Sequence, residues 1–186
     1  MDQRALVERA QRGDHDAFAS LAGVAVARLD AAARLILRDR ELARDAVQEV
    51  LIRAWRDLPT LRDVERFDAW VHRLLVNACL DLVRRRRRRV VEVELVPLHS
   101  PRVPDFTGDV VDRDLLDRAL QALEPEWRAI VVLHYFLGMP LPEVAASLGV
   151  PLGTAKSRLH RSLGVLRATT GVPETEVPSM PEGRFA

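Results

Sequence analysis

The chain has 186 residues, a formal net charge of +1 and an apolar content of 48%. That apolar content is sufficient for packed cores, and the low aromatic and glycine contents favour helices over a β-sandwich or barrel. The near-neutral charge gives no overall electrostatic argument for a nucleic-acid partner. Cys79 is the only cysteine, which excludes an internal disulfide and a cysteine-rich zinc site and favours a buried thiol.

No segment combines the length and hydropathy of a membrane span, and the N-terminus lacks the apolar core of a signal peptide. We therefore expect a cytoplasmic protein that does not insert into membranes. No internal repeat is present. The helical periodicity found along most of the chain predicts an all-α fold of two small helical domains joined by an extended linker.

Residues 1–89 are predicted to form the first domain. The helical pattern breaks at Arg12-Gly13-Asp14, and Asp14 is a candidate N-cap for the next helix. The core side of that helix carries Phe18, Leu21, Val24 and Ala25. A longer helix is predicted over residues 31–58. The side opposite its core stripe carries Asp45, Gln48, Glu49 and Ile52, and periodicity alone favours a simply solvated surface there.

The last helix of this domain runs into six consecutive arginines, residues 84–89. Its core side carries Phe67, Val71, Leu74, Ala78 and Leu82. Its other side carries Trp70, Arg73, Asn77, Asp81, Arg84 and Arg88. Arginines for phosphates, an aromatic ring for stacking and an amide for a base edge indicate a nucleic-acid surface. The alternative is a core tryptophan with a solvated basic end, in which Asp81 pairs with Arg85. Six like charges repel without counter-charges, which favours a polyanion partner.

From Val90 to Asp112 the periodicity is lost. Three prolines interrupt this segment, and it holds five acidic residues against one arginine. Residues 90–112 are therefore predicted to be an extended linker. Because such a linker has little to pack against, we expect the two domains to vary in relative placement.

Residues 113–170 are predicted to form the second domain. Glu124-Pro125-Glu126 marks the start of a helix, and the nearly all-apolar residues 129–137 are expected to form a buried helix that supports the next element. The tail, residues 171–186, has three prolines, two glycines and few large apolar side chains. We expect it to be disordered.

The segment from Leu141 to Leu166 predicts a helix-turn-helix. Pro142 can occupy a first helical turn, and Gly149 can supply a turn with positive φ. The inward side of the second helix carries Ala155, Leu159, Leu163 and Leu166, and its free side carries Thr154, Lys156, Ser157, Arg158, His160 and Arg161. A basic free face of this kind could enter a DNA major groove. The alternative is a helical hairpin with a solvated basic face.

No catalytic signature is present. The five histidines show no metal-ligand spacing, and there is no Walker loop, GxSxG or GxGxxG motif. We therefore expect a protein that is not an enzyme, without cofactor, metal or small-molecule substrate.

Three blocks together resemble a known family. They are DAVQEVLIRAW from Asp45 to Trp55, FDAWVHRLLVNACLDLVRRRRRR from Phe67 to Arg89, and LPEVAASLGVPLGTAKSRLHRSL from Leu141 to Leu163. In this order and spacing they are similar to the bacterial RNA polymerase sigma factors of the extracytoplasmic-function (ECF, group 4) type in the sigma-70 family.

The resemblance implies partners and site residues. Residues 1–89 would be a region 2-like domain, and residues 113–170 a region 4-like domain. Core RNA polymerase would be bound by Asp45, Gln48, Glu49 and Ile52. The promoter −10 element would be read by Phe67, Trp70, Arg73, Asn77, Arg84, Arg85 and Arg88, with the segment from Arg62 to Trp70 holding a flipped base. The −35 element would be read by Thr154, Lys156, Ser157, Arg158, His160 and Arg161. An anti-sigma factor is the expected regulatory partner.

Two positions depart from the family pattern. Ala155 stands where a larger aliphatic residue is usual, and His160 occupies a variable base-reading position, so no −35 sequence is implied. Two other functions stay open from the residues alone. One is an ordinary DNA-binding regulator that works without polymerase, and the other is a helical adaptor or anti-sigma-like interaction protein.

Overall fold

A computed structural model describes residues 2–92 and 110–171. Every regular element of this part of the chain is helical, which confirms the predicted fold class. The first half contains α1 (Gln3–Gln11), α2 (His15–Leu37), α3 (Arg40–Asp57) and α4 (Phe67–Glu92), with short 3-10 turns at Leu58–Thr60 and Val64–Arg66. The second half contains α5 (Val110–Gln121), α6 (Pro125–Val131), a π-helical turn (Val132–Phe136), α7 (Leu141–Leu148) and α8 (Leu152–Thr170).

Aspartates at the N-caps mark where α1, α2 and α3 begin. The Asp14 carboxylate accepts the Ala17 N–H, as predicted from the sequence. The single helix predicted over residues 31–58 is wrong, because Arg38 adopts a left-handed conformation with φ of 55°. Asp39 then caps a new helix by accepting the N–H groups of Glu41 and Leu42. A left-handed residue followed by an N-cap aspartate therefore separates α2 from α3.

Apolar residues from α1 to α4 form the core of the first half. Among the fully buried side chains are Leu29 and Ile36 of α2, Val50 of α3, and Leu75, Val76 and Cys79 of α4. Burial raises the pKa of the Cys79 thiol to about 12, so it is packed as a neutral apolar group, as expected. The prediction that Val24 faces the core is wrong, since it is 85% exposed. The buried face of α2 passes instead through Leu21 and Leu29.

In the second half, Pro125 lies at the start of α6, as predicted. Residues 129–137 do not continue as one α-helix, because the backbone widens into the π turn. Leu133 is buried, whereas Tyr135 and Phe136 are exposed. The segment therefore stays buried through Ala129, Ile130, Val132 and Leu133 and again at Leu137, and only Tyr135 and Phe136 reach the surface.

The two halves pack directly against each other. Helices α2 and α4 contact α6, and α4 also contacts α7. Buried residues of both halves, such as Val76, Ile130 and Val144, belong to one hydrophobic cluster. We call this packing of α2 and α4 on α6 and α7 the closed arrangement. It differs from the variable placement expected from the linker, because the halves share apolar surface.

The ends of the predicted linker are helical, since α4 continues to Glu92 and α5 begins at Val110. The rest of the linker, and the tail beyond residue 171, lie outside the described residues. Within the described ranges, none of the helices has the length and apolar character needed to traverse a bilayer.

Candidate polymerase and promoter interfaces

The outer face of α3 presents an acidic and amide surface with one aliphatic side chain. The four residues assigned to polymerase binding, Asp45, Gln48, Glu49 and Ile52, are all exposed there. Ile52 is 62% exposed, so an apolar side chain is available at the surface among these polar groups. Glu49 accepts a 2.6 Å hydrogen bond from Arg53, one turn further along the helix. The opposite side of α3 is buried through Val47 and Val50. This face therefore has the composition of a protein-binding surface.

The outer face of α4 carries most of the side chains assigned to the −10 element. Exposed on it are Arg73, Asn77, Arg84, Arg85 and Arg88. Trp70 is half-buried, so its indole is partly available for stacking and partly packed. Phe67 does not fit the assignment, because it is only 4% exposed and lies in the core. Its ring is 6.1 Å from that of Trp70, which makes it a support for the indole.

Acidic side chains meet part of the arginine run. Asp81 pairs with Arg84 at 3.3 Å, and not with Arg85 as the alternative of a solvated basic end supposed. Arg86 reaches the N-cap residue Asp39 at 3.1 Å, and Arg87 reaches Glu124 in the second half of the chain. Exposed pairs of this kind stabilise a fold by at most about 1 kcal/mol each. They lower the repulsion within the run and leave Arg85 and Arg88 exposed.

The segment before α4 forms one wall of a cavity of about 360 Å³. Asp63 caps the 3-10 turn within this segment by accepting the Glu65 N–H. Arg62, Arg66, Trp70 and Arg73 all line the cavity. The structure thus brings the predicted base-holding segment and the start of the α4 face into one concave, basic and aromatic site.

The helix-turn-helix forms as the sequence predicts. Gly149 has φ of 66°, and the N–H groups of Gly149 and Val150 donate to the carbonyls of Ala146 and Ala145. This pair of hydrogen bonds is a Schellman motif, which only a residue tolerant of positive φ closes without strain. It ends α7 and turns the chain into α8.

Helix α8 separates a buried side from a basic exposed side. Ala155, Leu159 and Ser162 are buried, and the Ser162 hydroxyl donates to the Arg158 carbonyl. Lys156, Ser157, His160 and Arg161 are exposed, and Thr154 and Arg158 are half-exposed. The N-cap, Pro151, makes no side-chain cap bond. The first N–H groups of α8 therefore lie beside the basic face, where they can bind a phosphate.

No local pattern in the sequence indicates which acids pair with Arg86 and Arg87. Asp39 and Glu124 lie 47 and 37 residues away along the chain, so only the folded structure pairs them. Within the described residues, no group of histidine, cysteine, aspartate or glutamate side chains is arranged to hold a metal ion.

Comparisons with known proteins match both halves. The sigma-70 region 2 family matches residues 26–89. The sigma-70 region 4 family matches residues 113–165. The first match covers the α3 and α4 faces, and the second covers the helix-turn-helix.

Several curated proteins are similar over most of the chain. The RNA polymerase sigma-E factor of Streptomyces coelicolor is 37% identical over 135 residues, which are 73% of this chain and 75% of that protein. The ECF RNA polymerase sigma factor SigM of Mycobacterium tuberculosis is 36% identical over 166 residues, 89% of this chain and 83% of that protein. The ECF sigma factor SigE of Mycolicibacterium smegmatis is 39% identical over 132 residues, but the match spans only 50% of that protein.

Two solved structures share the fold. CnrH in complex with the cytosolic domain of CnrY has a TM-score of 0.64 and 29% identity, covering 89% of this chain and 95% of that one. The sigma factor RpoE in complex with the anti-sigma factor NepR from Bartonella quintana has a TM-score of 0.69 and 26% identity, covering 83% and 97%. The matches to regions 2 and 4 and the extent of the sigma-E and SigM similarities lead to one assignment: the chain belongs to the ECF sigma factors of the sigma-70 family, which bind core RNA polymerase and direct it to promoters.

Proposed function

We propose that this sigma factor uses three separate helical faces, one for polymerase and two for DNA. Residues 1–89 bind core polymerase through α3 and the −10 element through α4, and residues 113–170 bind the −35 element through α8. The observation that supports this division is that each helix is buried on one side and, apart from the buried Phe67, presents its assigned residues exposed or half-exposed on the other. The chain carries out no reaction of its own and acts in the cytoplasm, where promoter DNA and polymerase meet.

The face of α8 suits duplex DNA. Lys156 and Arg161 are exposed cations that can neutralise phosphates, while Ser157 and His160, exposed between them, can contact base edges. The backbone N–H groups after Pro151, which no side chain caps, are uncharged donors that can also contact a phosphate. The helix would thus be positioned by the backbone and would read bases with its central side chains.

The face of α4 suits a strand that is leaving the duplex. Asn77 can bond a base edge, Arg73 and the exposed arginines can hold phosphates, and Trp70 can stack on a base. Extruding a base costs a few kcal/mol, and capture in the cavity beside Trp70 would offset part of that cost. This face would therefore recognise the −10 element while helping to open it.

The face of α3 suits polymerase. Asp45 and Glu49 supply negative charge beside the exposed aliphatic side chain of Ile52. Acidic residues at the edge of such a surface steer a basic partner and select against wrong ones. The relatives solved with anti-sigma partners support an anti-sigma factor as a further ligand of this chain.

The test is reconstitution. The purified chain should bind core polymerase in a pull-down and should then support transcription from specific start sites. A variant with Lys156, His160 and Arg161 changed to alanine should still bind core polymerase but lose promoter-specific initiation. Specific DNA binding by the chain without polymerase, together with no effect of the chain on initiation, would favour an ordinary DNA-binding regulator.

A further inference from the structure

A second cavity lies within the first half of the chain and shares no lining residue with the cavity beside Trp70. It has a volume of about 250 Å³ and is formed by residues of α1, α2 and α4. Val24, which lines it, is 85% exposed, so one side of the cavity is open to solvent. The walls include the buried apolar side chains of Leu6, Leu21, Leu29, Phe67 and Val71. The cavity is therefore apolar inside and accessible from outside.

One polar side chain buried at this cavity has no hydrogen-bond partner. His72 is only 9% exposed, and within the described residues its ring nitrogens make no hydrogen bond. Burial lowers the pKa of His72 to about 4, so the imidazole is neutral at neutral pH. A neutral imidazole offers one donor and one acceptor nitrogen. Because an unpaired buried polar group is unfavourable, His72 is suited to bond a polar group that enters the cavity.

Two opposite charges line the cavity without pairing with each other. Arg28 belongs to α2 and Asp68 to the first turn of α4, and no ion pair joins them in the part of the chain that the structure describes. Arg28 donates through Nη2 to the Phe136 carbonyl at 3.2 Å, which leaves the donors of Nε and Nη1. Asp68 accepts from the Gln3 amide at 2.8 Å through Oδ1, which leaves Oδ2. A cationic donor and an anionic acceptor are therefore both available to a bound molecule.

The positions of these groups give the cavity two chemically different ends. Asp68 and His72 are one turn apart on α4, so they lie on the same side of that helix. Arg28 lies on α2, another of the helices that form the cavity. An ammonium group can donate to the Asp68 carboxylate and to the acceptor nitrogen of His72, while a carboxylate can accept from Arg28. A molecule that carries both groups on an apolar body matches all the features of this cavity.

We propose that this cavity binds a small zwitterion with an apolar body, of the chemical class of the aliphatic α-amino acids. Asp68 and His72 bind its ammonium group, Arg28 binds its carboxylate, and the apolar walls enclose its side chain. The volume of about 250 Å³ lies just below the range of about 300–1,000 Å³ found for drug-sized ligands, which suits a smaller molecule. The ligand is bound and not transformed. The inference is independent of the roles proposed for α3, α4 and α8.

The test titrates the full chain with L-leucine. Two matched ligands keep its apolar body: isocaproate lacks the ammonium group, and isoamylamine lacks the carboxylate. NMR spectra of the isotope-labelled histidine rings measure affinity and location together. The resonances of His72 should move on addition of leucine, and those of His160, which is exposed on α8, should not.

Each matched ligand should bind about fivefold or more weakly than leucine, because it loses a charge-assisted hydrogen bond at a partly exposed site. Equal affinity of leucine and either matched ligand would overturn the zwitterion site. The absence of any effect of leucine on the His72 resonances would also overturn it.

Charge variants test the two ends of the site. Asp68→Asn and Arg28→Gln should each weaken leucine binding by about fivefold or more. Asparagine keeps a side-chain oxygen that can accept from Gln3. Asp16→Asn and Arg12→Gln make the same changes at exposed positions outside the cavity and should bind leucine like the parent protein. Circular dichroism verifies that each variant is folded. Parent-like affinity for either cavity variant would contradict the role assigned to that charge.

A space-filling variant tests the cavity without changing any charge. Ala25 is half-buried and lines the cavity, so Ala25→Leu places a larger apolar side chain in it. This variant should lose leucine binding. Ala19→Leu, at an exposed position of the same helix, is the matched control and should bind like the parent protein. Parent-like leucine binding by a folded Ala25→Leu variant would exclude the cavity as the site. If that variant does not fold, the charge variants decide.

Discussion

Arg87 of α4 forms an ion pair with Glu124, the residue that precedes α6. This pairing connects the most basic segment of the chain to its second half. Helix α4 continues through the arginine run because acids reach it from outside as well as from within. Asp39 serves twice, since one carboxylate oxygen caps α3 and the other accepts from Arg86. Structural counter-charges therefore occupy part of the arginine run that we propose to bind DNA.

The α3 face is tested by charge reversal. Asp45→Lys with Glu49→Lys should weaken binding to core polymerase by about tenfold or more, because like charges replace complementary ones at the interface. Loss of the Glu49–Arg53 pair costs little, since it is a helix-surface pair. Fluorescence titration with labelled core enzyme measures the affinity. The control is Glu8→Lys with Asp16→Lys, a half-exposed acid on α1 and an exposed acid on α2. Parent-like binding by the α3 variant would remove this face from the interface.

Substitutions on the α8 face should distinguish side chains that contact phosphates from side chains that contact bases. Lys156→Ala or Arg161→Ala should weaken promoter binding by holoenzyme to a similar extent for all −35 sequences. Each should also reduce, by about one unit, the steepness with which the logarithm of the binding constant falls with the logarithm of the salt concentration. Substitution of a base-reading side chain such as His160 with alanine should instead change the preference for the base at one −35 position by about 1–3 kcal/mol. Filter binding across salt concentrations and −35 variants gives both quantities. Thr169→Val, at the far end of the helix, is the control. Unchanged binding for alanine at 156, 157, 158, 160 and 161 would contradict the assignment.

The turn at Gly149 should be sensitive to any side chain. Gly149→Ala leaves open space around the new Cβ but forces alanine to φ of about 66°, which costs about 1–2 kcal/mol. Gly164→Ala is the matched control, because this glycine lies in regular helix α8 with open space around it. It should stabilise by about 0.5–1 kcal/mol. Urea unfolding measures both. A Gly149→Ala variant as stable as the control would show that the turn carries no backbone strain.

Local signals predicted much of the secondary structure. Asp14 as an N-cap, Pro125 at the start of α6 and Gly149 in a left-handed turn are each determined by one residue and its neighbours. The break at Arg38 was missed because arginine rarely adopts positive φ, and only the following aspartate hinted at a cap. The π turn was missed because an apolar run has no mark that distinguishes it from a continuous α-helix.

The exposed residues of the candidate site could be predicted from the sequence where they lie on one face of a single helix. The exposed stripes of α3 and α8 follow from periodicity, and the family resemblance supplied their roles. Phe67 shows the limit of the resemblance, because periodicity placed it on the core side of its helix and the structure confirms that placement. The closed arrangement was not predictable, because its ion pairs join residues 37 and 79 positions apart. Such pairings depend on packing of the two halves, for which a single sequence contains no local signal.

His72 should make the stability of the first half depend on pH. It is buried, and it lines a second cavity with Asp68 and Arg28. Burial chiefly lowers its pKa from 6.5 to about 4, with Asp68 opposing the shift and Arg28 adding to it. The unfolded chain therefore binds more protons between these values, and stability is lost as the pH falls from 6.5 to 4.

The expected loss attributable to His72 is about 3 kcal/mol, from about 1.4 kcal/mol for each pKa unit. It appears as the difference between the parent protein and His72→Gln in urea unfolding at each pH, since carboxylate titration is common to both. His15→Gln, which removes an exposed imidazole, is the control. Parallel pH profiles for the parent and His72→Gln would show that His72 is not desolvated as the structure indicates.

The two DNA-reading faces should act together only on polymerase. In the free chain the exposed α4 and α8 faces lie on halves that pack directly against each other, without polymerase to set their separation. Free protein should therefore bind promoter DNA weakly, with a strong salt dependence that reflects phosphate contacts. Holoenzyme should bind specifically, and initiation should depend on the distance between the −35 and −10 elements, because polymerase holds the two readers apart.

Electrophoretic mobility assays with and without core enzyme, on promoters whose spacers are lengthened or shortened, measure this dependence. A change in spacer length should reduce holoenzyme binding and leave the weak binding of the free chain unchanged. The control is a substitution within the spacer that keeps its length. Tight binding by the free chain that ignores spacer length would instead describe a regulator with a single DNA-binding unit. Such a result would contradict the assignment of separate −10 and −35 readers to α4 and α8.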